Sequence, residues 1–146
     1  MALALLDTNV LVYAAYKGAA HHLQAAELLA RGFREKNLYC IAPQNIVEFA
    51  AVVTRARFVD PVLPAEEVER ISDLLYRSRT LSKIHPLRGT VSRTSREGAR
   101  LGVTGTAWYD LYLAMTMRDS GVETIITQDI ADFRKFPFVV ARRLAE

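Results

Sequence analysis

Five acidic side chains interrupt apolar stretches of this chain, and their types and spacing could do chemistry together. Asp7 closes the apolar run Leu3-Ala4-Leu5-Leu6. Glu48 stands between Ile46-Val47 and Phe49-Ala50-Ala51-Val52-Val53, and Asp110 between Ala107-Trp108-Tyr109 and Leu111-Tyr112-Leu113-Ala114. Asp129 and Asp132 follow Ile125-Ile126 at a three-residue interval, which on a helix gives them one face. A carboxylate at the edge of a core is costly to bury without a partner. Two unit charges about 4 Å apart repel by about 4 kcal/mol at an effective dielectric near 20, so clustered acids take up protons or hold a cation. A shared divalent ion is the economical solution, and Mg2+ or Mn2+ prefers such oxygen donors. Mg2+ keeps several waters, one of which can serve as a nucleophile while the ion steadies charge on a phosphate oxygen. Carboxylates without a histidine placed as a base point to phosphodiester hydrolysis.

Each acid also has a simpler reading. Asp7, in Asp7-Thr8-Asn9, could cap a helix, as could Asp129, and Asp132 would then be favoured by the helix dipole. Glu48 shares a helical stripe with Asn45 and Arg55 and could lie on a solvated face. Asp110 resists such a reading, because it falls after the capping turn and among apolar residues. Trp108-Tyr109 could stack a base or simply pack. His21, His22 and His85 lack metal-ligand spacing and read as surface residues. Cys40, the one cysteine, reads as an inert core thiol and offers neither a disulfide nor a zinc cluster.

The elements that must position these acids alternate in type. Strands are expected at Leu3 to Leu6, Leu38 to Ala42, Leu81 to His85, Glu123 to Thr127 and Phe138 to Ala141. Helices are expected at Asn9 to Tyr16, His21 to Arg34, Pro43 to about Arg57, Ala65 to Ser78, Thr90 to Leu101, Ala107 to Arg118 and Asp129 to Phe136. Leu23, Ala26, Leu29 and Ala30 should form the inner face of the second helix, and Val68, Ile71, Leu74 and Leu75 that of the fourth. Pro43 suits a first helical turn, and Thr106 is placed to cap its helix. Strands separated by helical crossovers imply a parallel sheet, here a three-layer α/β/α sandwich with a mainly parallel central sheet. In such sheets ligands bind beyond the carboxyl ends of the strands, where Asp7 and Asp129 fall; Glu48 and Asp110 lie early enough in their helices to join them.

At 146 residues, 51% of them hydrophobic, residues 1–146 read as one folded domain and not a disordered chain. No stretch reaches the roughly 18 apolar residues of a membrane span, and the apolar N-terminus lacks a preceding basic segment, so it reads as a strand and not a signal peptide. With a single cysteine, this favours the cytoplasm. The net charge of +3 is unevenly placed. Arg88, Arg93, Arg96 and Arg100 face a single Glu97, Arg55 and Arg57 form a second group, and Arg142-Arg143 a third. Basic surface around an acidic centre suits a polyanionic substrate. Arg55, Arg93, Arg96 and Arg100 are candidate RNA contacts, although the last three, at helical spacing, also suit a solvated face.

Four stretches carry a resemblance: Leu5-Leu6-Asp7-Thr8-Asn9-Val10-Leu11; Asn45-Ile46-Val47-Glu48-Phe49 with Val53-Thr54-Arg55; Tyr109-Asp110-Leu111-Tyr112-Leu113-Ala114; and Ile126-Thr127-Gln128-Asp129-Ile130-Ala131-Asp132-Phe133. In this order and at these separations the chain resembles the PIN-domain family, specifically the short VapC-type ribonuclease toxins. The resemblance implies that Asp7, Glu48, Asp110 and Asp129 are the catalytic acids and hold Mg2+ or Mn2+ with Asp132. Thr8, Asn9 and Thr127 would be supporting polar groups. It further implies metal-dependent endonucleolytic cleavage of RNA, a homodimer, and a small antitoxin partner whose C-terminal segment covers the groove. Two residues separate Asp129 from Asp132 where many relatives have one, which leaves open which of them is the direct ligand. Two alternatives stand beside the endoribonuclease: a structure-specific DNA nuclease, for which the chain lacks room for a helical arch, and a non-catalytic RNA- or protein-binding module. Phosphoaspartate chemistry at Asp7 would require an Asp-x-Asp pair that is absent.

Overall fold

The computed structural model describes residues 2–145. In chain order the strands are β1 (Ala4–Leu6), β2 (Tyr39–Ile41), β3 (Ser82–Lys83), β4 (Thr124–Ile126) and β5 (Val140–Arg142). The helices are α1 (Thr8–Ala15), α2 (His22–Arg34), α3 (Pro43–Val53), α4 (Ala65–Arg77), α5 (Thr90–Leu101), α6 (Ala107–Asp119) and α7 (Ile130–Arg134). All four strand pairings are parallel, in the order β3-β2-β1-β4-β5. Every strand is short, and β1, β2 and the inner end of β4 are buried on both faces. That burial explains why they read as continuous apolar runs.

Alternation along the strands builds two cores. Ala4, Leu6, Tyr39, Ile41 and Ile126 face Val10 and Leu11 of α1, Ala25 of α2, Phe49 and Val53 of α3 and Leu75 of α4. Leu5, Cys40 and Ile125 face Leu111, Ala114 and Met115 of α6, and Phe133 beyond them. The sheet is thus covered on both sides, as the α/β/α expectation requires. Helix α6 is buried along most of its length, consistent with its lack of a single apolar stripe. Helix α5 packs on α6 where Gly98 faces the Trp108 ring; a Cβ at residue 98 would collide with the indole. Trp108 is therefore a packing residue.

Several expectations need correction. Leu23 is 79% exposed and Leu74 52%. The inner face of α2 is instead Ala25, Leu28, Leu29, Gly32 and Phe33, and that of α4 is Val68, Ile71 and Leu75. Thr106 occupies the position before α6, but its hydroxyl makes no capping bond. Helix α3 stops at Val53 and not near Arg57, because the Thr54 hydroxyl bonds the Ala50 carbonyl at 2.8 Å and the Val53 carbonyl accepts from Leu63 N at 2.8 Å. The released chain turns through Arg55–Phe58, with Phe58 N on the Arg55 carbonyl at 3.0 Å. Strand β5 lies one to two residues later than expected, held by Val140 N on Glu123 O and Thr127 N on Arg142 O. Helix α7 ends at Arg134, with turns continuing through Phe136.

The close contact between α5 and α6 is testable. Valine at residue 98 gains only roughly a few tenths of a kcal/mol in helix propensity over glycine but forces the indole to move, so Gly98→Val should lower stability by about 1–3 kcal/mol. Urea unfolding followed by the fluorescence of Trp108, the sole tryptophan, reads this; an unchanged midpoint and spectrum would contradict the packing described.

Candidate functional site

Strand order reverses at β1, which has β2 on one side and β4 on the other. A crevice opens where the chain leaves such neighbouring parallel strands in opposite directions. Register then decides what meets there. Leu6 pairs with Ile126, so the next residues, Asp7 and Thr127, emerge side by side, with Asp7 N bonded to the Ile126 carbonyl at 3.0 Å. Thr127 Oγ1 donates to Asp7 Oδ2 at 2.7 Å and accepts from Asn9 Nδ2 at 2.9 Å and Asp129 N at 3.0 Å. Its single proton and both lone pairs are used, so Thr127 fixes three partners at once. Asn9 Nδ2 also reaches Asp129 Oδ2 at 3.1 Å.

The other wall comes from α3. Thr8 Oγ1 donates to Glu48 Oε2 at 2.8 Å and accepts from the buried Asn45 amide at 3.2 Å. Gln44, one turn before Glu48, donates to Glu48 Oε1 at 2.7 Å and to the Tyr109 carbonyl at 3.0 Å. That one amide ties α3 to the first turn of α6, beside Asp110. Glu48 is therefore oriented by two donors and does not lie on a freely solvated face. Sequence reasoning missed Gln44; its position four residues before Glu48 on a helix was the available signal.

Asp7, Glu48, Asp110, Asp129 and Asp132 all line one cleft of about 550 Å³, together with Thr8, Asn9, Val12, Tyr13 and Phe58. The capping readings are partly right. Asp7 precedes α1 and its Oδ1 accepts from Thr8 N at 2.8 Å, while Oδ2 turns toward Thr127. Asp129 precedes α7 but its side chain makes no capping bond, leaving it to the cleft.

Electrostatics separates the acids. Burial raises Asp7 from 3.8 to about 6 against the hydrogen bonds of Thr127 and Thr8, with Glu48 and Asp129 adding repulsion. Burial likewise raises Asp110 from 3.8 to about 7, with Asp132, Asp7 and Glu48 adding to it and Lys135 opposing. The N-terminal end of α6 would favour a negative Asp110, so desolvation wins over the helix dipole. Asp129 thus acts on Asp7, and Asp132 is the foremost charge on Asp110.

Among the described residues none of the five acids is ion-paired with an arginine or lysine. The cleft therefore offers hard oxygen donors and uncompensated negative charge, which suits a divalent cation. Among the described residues no three His, Cys, Asp or Glu side chains close on one point. The fit is to an ion that keeps part of its water shell and takes one or two carboxylates directly.

The candidate RNA contacts do not line this cleft. Arg93 is held by Asp119 at 2.6 Å, with Thr90 on the same carboxylate, and so ties α5 to α6; Arg100 pairs with Glu97 at 2.7 Å within α5 and stays exposed. Arg96 is exposed on α5. Arg55 lies over the Phe58 ring at 5.5 Å, at the cleft's lip. Tyr109 is exposed, and His22 and His85 bond Tyr13 O and Tyr76. Burial pushes the Cys40 thiol up to about 12, in keeping with an inert core residue.

A family model for the PIN domain matches residues 4–139. No curated protein matches the chain. Among solved structures the chain is similar to VapBC-1 from nontypeable Haemophilus influenzae, with a TM-score of 0.67 and 14% identity over 99% of either chain. It is also similar to VapBC2 from Rickettsia felis, solved bound to a DNA fragment from their promoter, with a TM-score of 0.63 and 21% identity over 97% of this chain and 98% of the other. A third is VapC20 of Mycobacterium tuberculosis, a toxin that cleaves the sarcin-ricin loop, with a TM-score of 0.63 and 14% identity over 85% of this chain and 87% of the other. At such identities the structural likeness is one of fold. The family match covers nearly the whole sequence, and the chain belongs to the PIN domain family.

Proposed function

We propose that this chain is a divalent-cation-dependent endoribonuclease and the toxin half of a toxin–antitoxin pair. The observation that carries the reading is the meeting of five carboxylates from four separate segments in one cleft at the sheet's switch point, none of them ion-paired with an arginine or lysine among the described residues. Bound there, Mg2+ or Mn2+ would polarise a phosphoryl oxygen and supply an activated water. Asp7 and Asp110 would hold the ion, Glu48 and Asp129 would complete the set, and Asp132 adds to the burial that raises Asp110. Thr127, Asn9 and Thr8 orient these carboxylates. In-line attack by a water would form the new P–O bond, break the bond to the 3′ oxygen, which takes up a proton, and leave a 5′-phosphate and a 3′-hydroxyl.

RNA is preferred as substrate because VapC20, of the same fold, is a toxin that cleaves the sarcin-ricin loop. A small antitoxin is the proposed partner because several neighbours are VapBC or toxin–antitoxin complexes. We place the active form in the cytoplasm as a homodimer. No helix among the described residues is long and apolar enough to cross a membrane. Incubating the purified chain with total RNA, and with matched RNA and DNA hairpins, in Mg2+ or EDTA tests the reading; cleavage that persists in EDTA, or of the DNA hairpin alone, would overturn it.

Asp7→Asn and Asp110→Asn should each lower RNA cleavage by at least about 100-fold with the circular dichroism spectrum retained; full activity in either would reject its role. Thr127→Val leaves every carboxylate in place but frees Asp7, and should weaken Mn2+ binding by about 10–100-fold in titration calorimetry. Unchanged affinity would reduce Thr127 to a packing residue.

The raised carboxyls also set a pH dependence. Asp7 at about 6 and Asp110 at about 7 hold their protons more tightly folded than unfolded, where the ordinary value is 3.8. Their contribution to stability is full below about pH 4 and is lost as pH rises through 6 to 7. In EDTA, Asp110→Asn should therefore melt higher than the parent near about pH 8, with a much smaller difference near about pH 5. Thermal melts with the same difference at both pH values would contradict this.

A further inference from the structure

The cleft continues beyond its acids. Its outer wall is Phe58, 52% exposed, which also lines a second cavity of about 320 Å³ with Tyr13, Tyr16 and Val59. The ring is thus a rib between the acidic cleft and an adjoining groove bearing two tyrosines. The Arg55–Phe58 turn holds it there, and the guanidinium carbons of Arg55 and Arg57 lie 5.5 and 5.0 Å from the ring centroid. Neither arginine has a carboxylate partner among the described residues, whereas Arg93 and Arg100 are ion-paired.

A polyanion approaching an acidic cleft is repelled unless cations stand at the entrance. Arg55 and Arg57 are such cations, and both guanidinium groups lie over the half-exposed ring. Exposed cation–ring contacts are weak enough to yield to a stacking base. Bases within a duplex are already stacked and out of reach, so the ring favours an unpaired strand. We propose that Phe58, flanked by Arg55 and Arg57, is a nucleobase-stacking site for single-stranded RNA. The strand crosses the rib with one base on the ring and its phosphates at the arginines, and passes between the acidic cleft and the Tyr13–Tyr16 groove. The site's part in cleavage rests on the nuclease reading; its stacking of a base does not.

A short single-stranded RNA carrying 2-aminopurine, whose fluorescence falls on stacking, tests the proposal with the full chain in EDTA. The parent should quench it, whereas the corresponding duplex, whose 2-aminopurine is already stacked and dim, should show no further fall on adding protein. Phe58→Ala and Phe58→Leu should lose the quench and weaken binding about tenfold, whereas Phe58→Trp should keep both. Far-UV circular dichroism checks that the variants fold. Cleavage in Mg2+ separates the two readings. Quenching without cleavage leaves the stacking site standing and removes the nuclease. If the parent cleaves but Phe58→Ala keeps both its KM and its quench, the stacking site is overturned, and the exposed ring is left as a protein-docking surface. With cleavage present, the expected effect of Phe58→Ala is a rise in KM of about tenfold that exceeds any fall in kcat.

Discussion

The carboxylate of Asp7 stands at the buried carboxyl end of the central strand, 7% exposed, with other acids facing the same space. Burial and mutual repulsion both favour protonation there, and they outweigh the hydrogen bonds that stabilise the charged form. The surrounding architecture makes this arrangement tolerable. Parallel pairing of β1 with β4 sets Thr127 against Asp7, and α1 presents Asn9 and Thr8 to Asp129 and Glu48. Neutral donors thus hold charged acceptors apart in fixed directions. Such a network is stable enough to persist and still leaves net charge for a cation to neutralise.

Gln44 shows how far this positioning extends. Its amide joins Glu48 to the backbone of Tyr109, so the two helices that carry Glu48 and Asp110 are coupled at the cleft. Its Oε1 is buried without a hydrogen-bond partner among the described residues, leaving part of the amide's capacity unused. On the opposite side, Asp132 and Asp129 divide their influence between Asp110 and Asp7. The three-residue interval between them permits this, because it sets one at the helix start and the other within the first turn.

The acids were legible because each breaks an apolar run, and an acid in such a place has few structural uses. The alternation of strands and helices was legible for the same reason, since buried parallel strands are apolar on both faces. Helix α5 matched its expected bounds, with a polar stripe and Gly102 at φ 69° closing it. What local pattern does not encode is which neighbour covers a face. Leu23 and Leu74 belong to apolar stripes wider than the contact their helices make, and both face solvent. Arg93 read as free because its partner, Asp119, is remote in sequence. Phe58 was passed over because α3 ends earlier than its residues alone imply, and only that early turn carries the ring to the cleft.

The central claim is that folding gathers distant carboxylates into one cation-holding site. Anomalous diffraction from crystals of the chain soaked in Mn2+ tests it most directly. The account predicts an anomalous peak in the cleft, within coordination distance of Asp7 or Asp110 and surrounded by the other acids. Crystals soaked at neutral pH that show Mn2+ elsewhere on the surface, and none in the cleft, would contradict it.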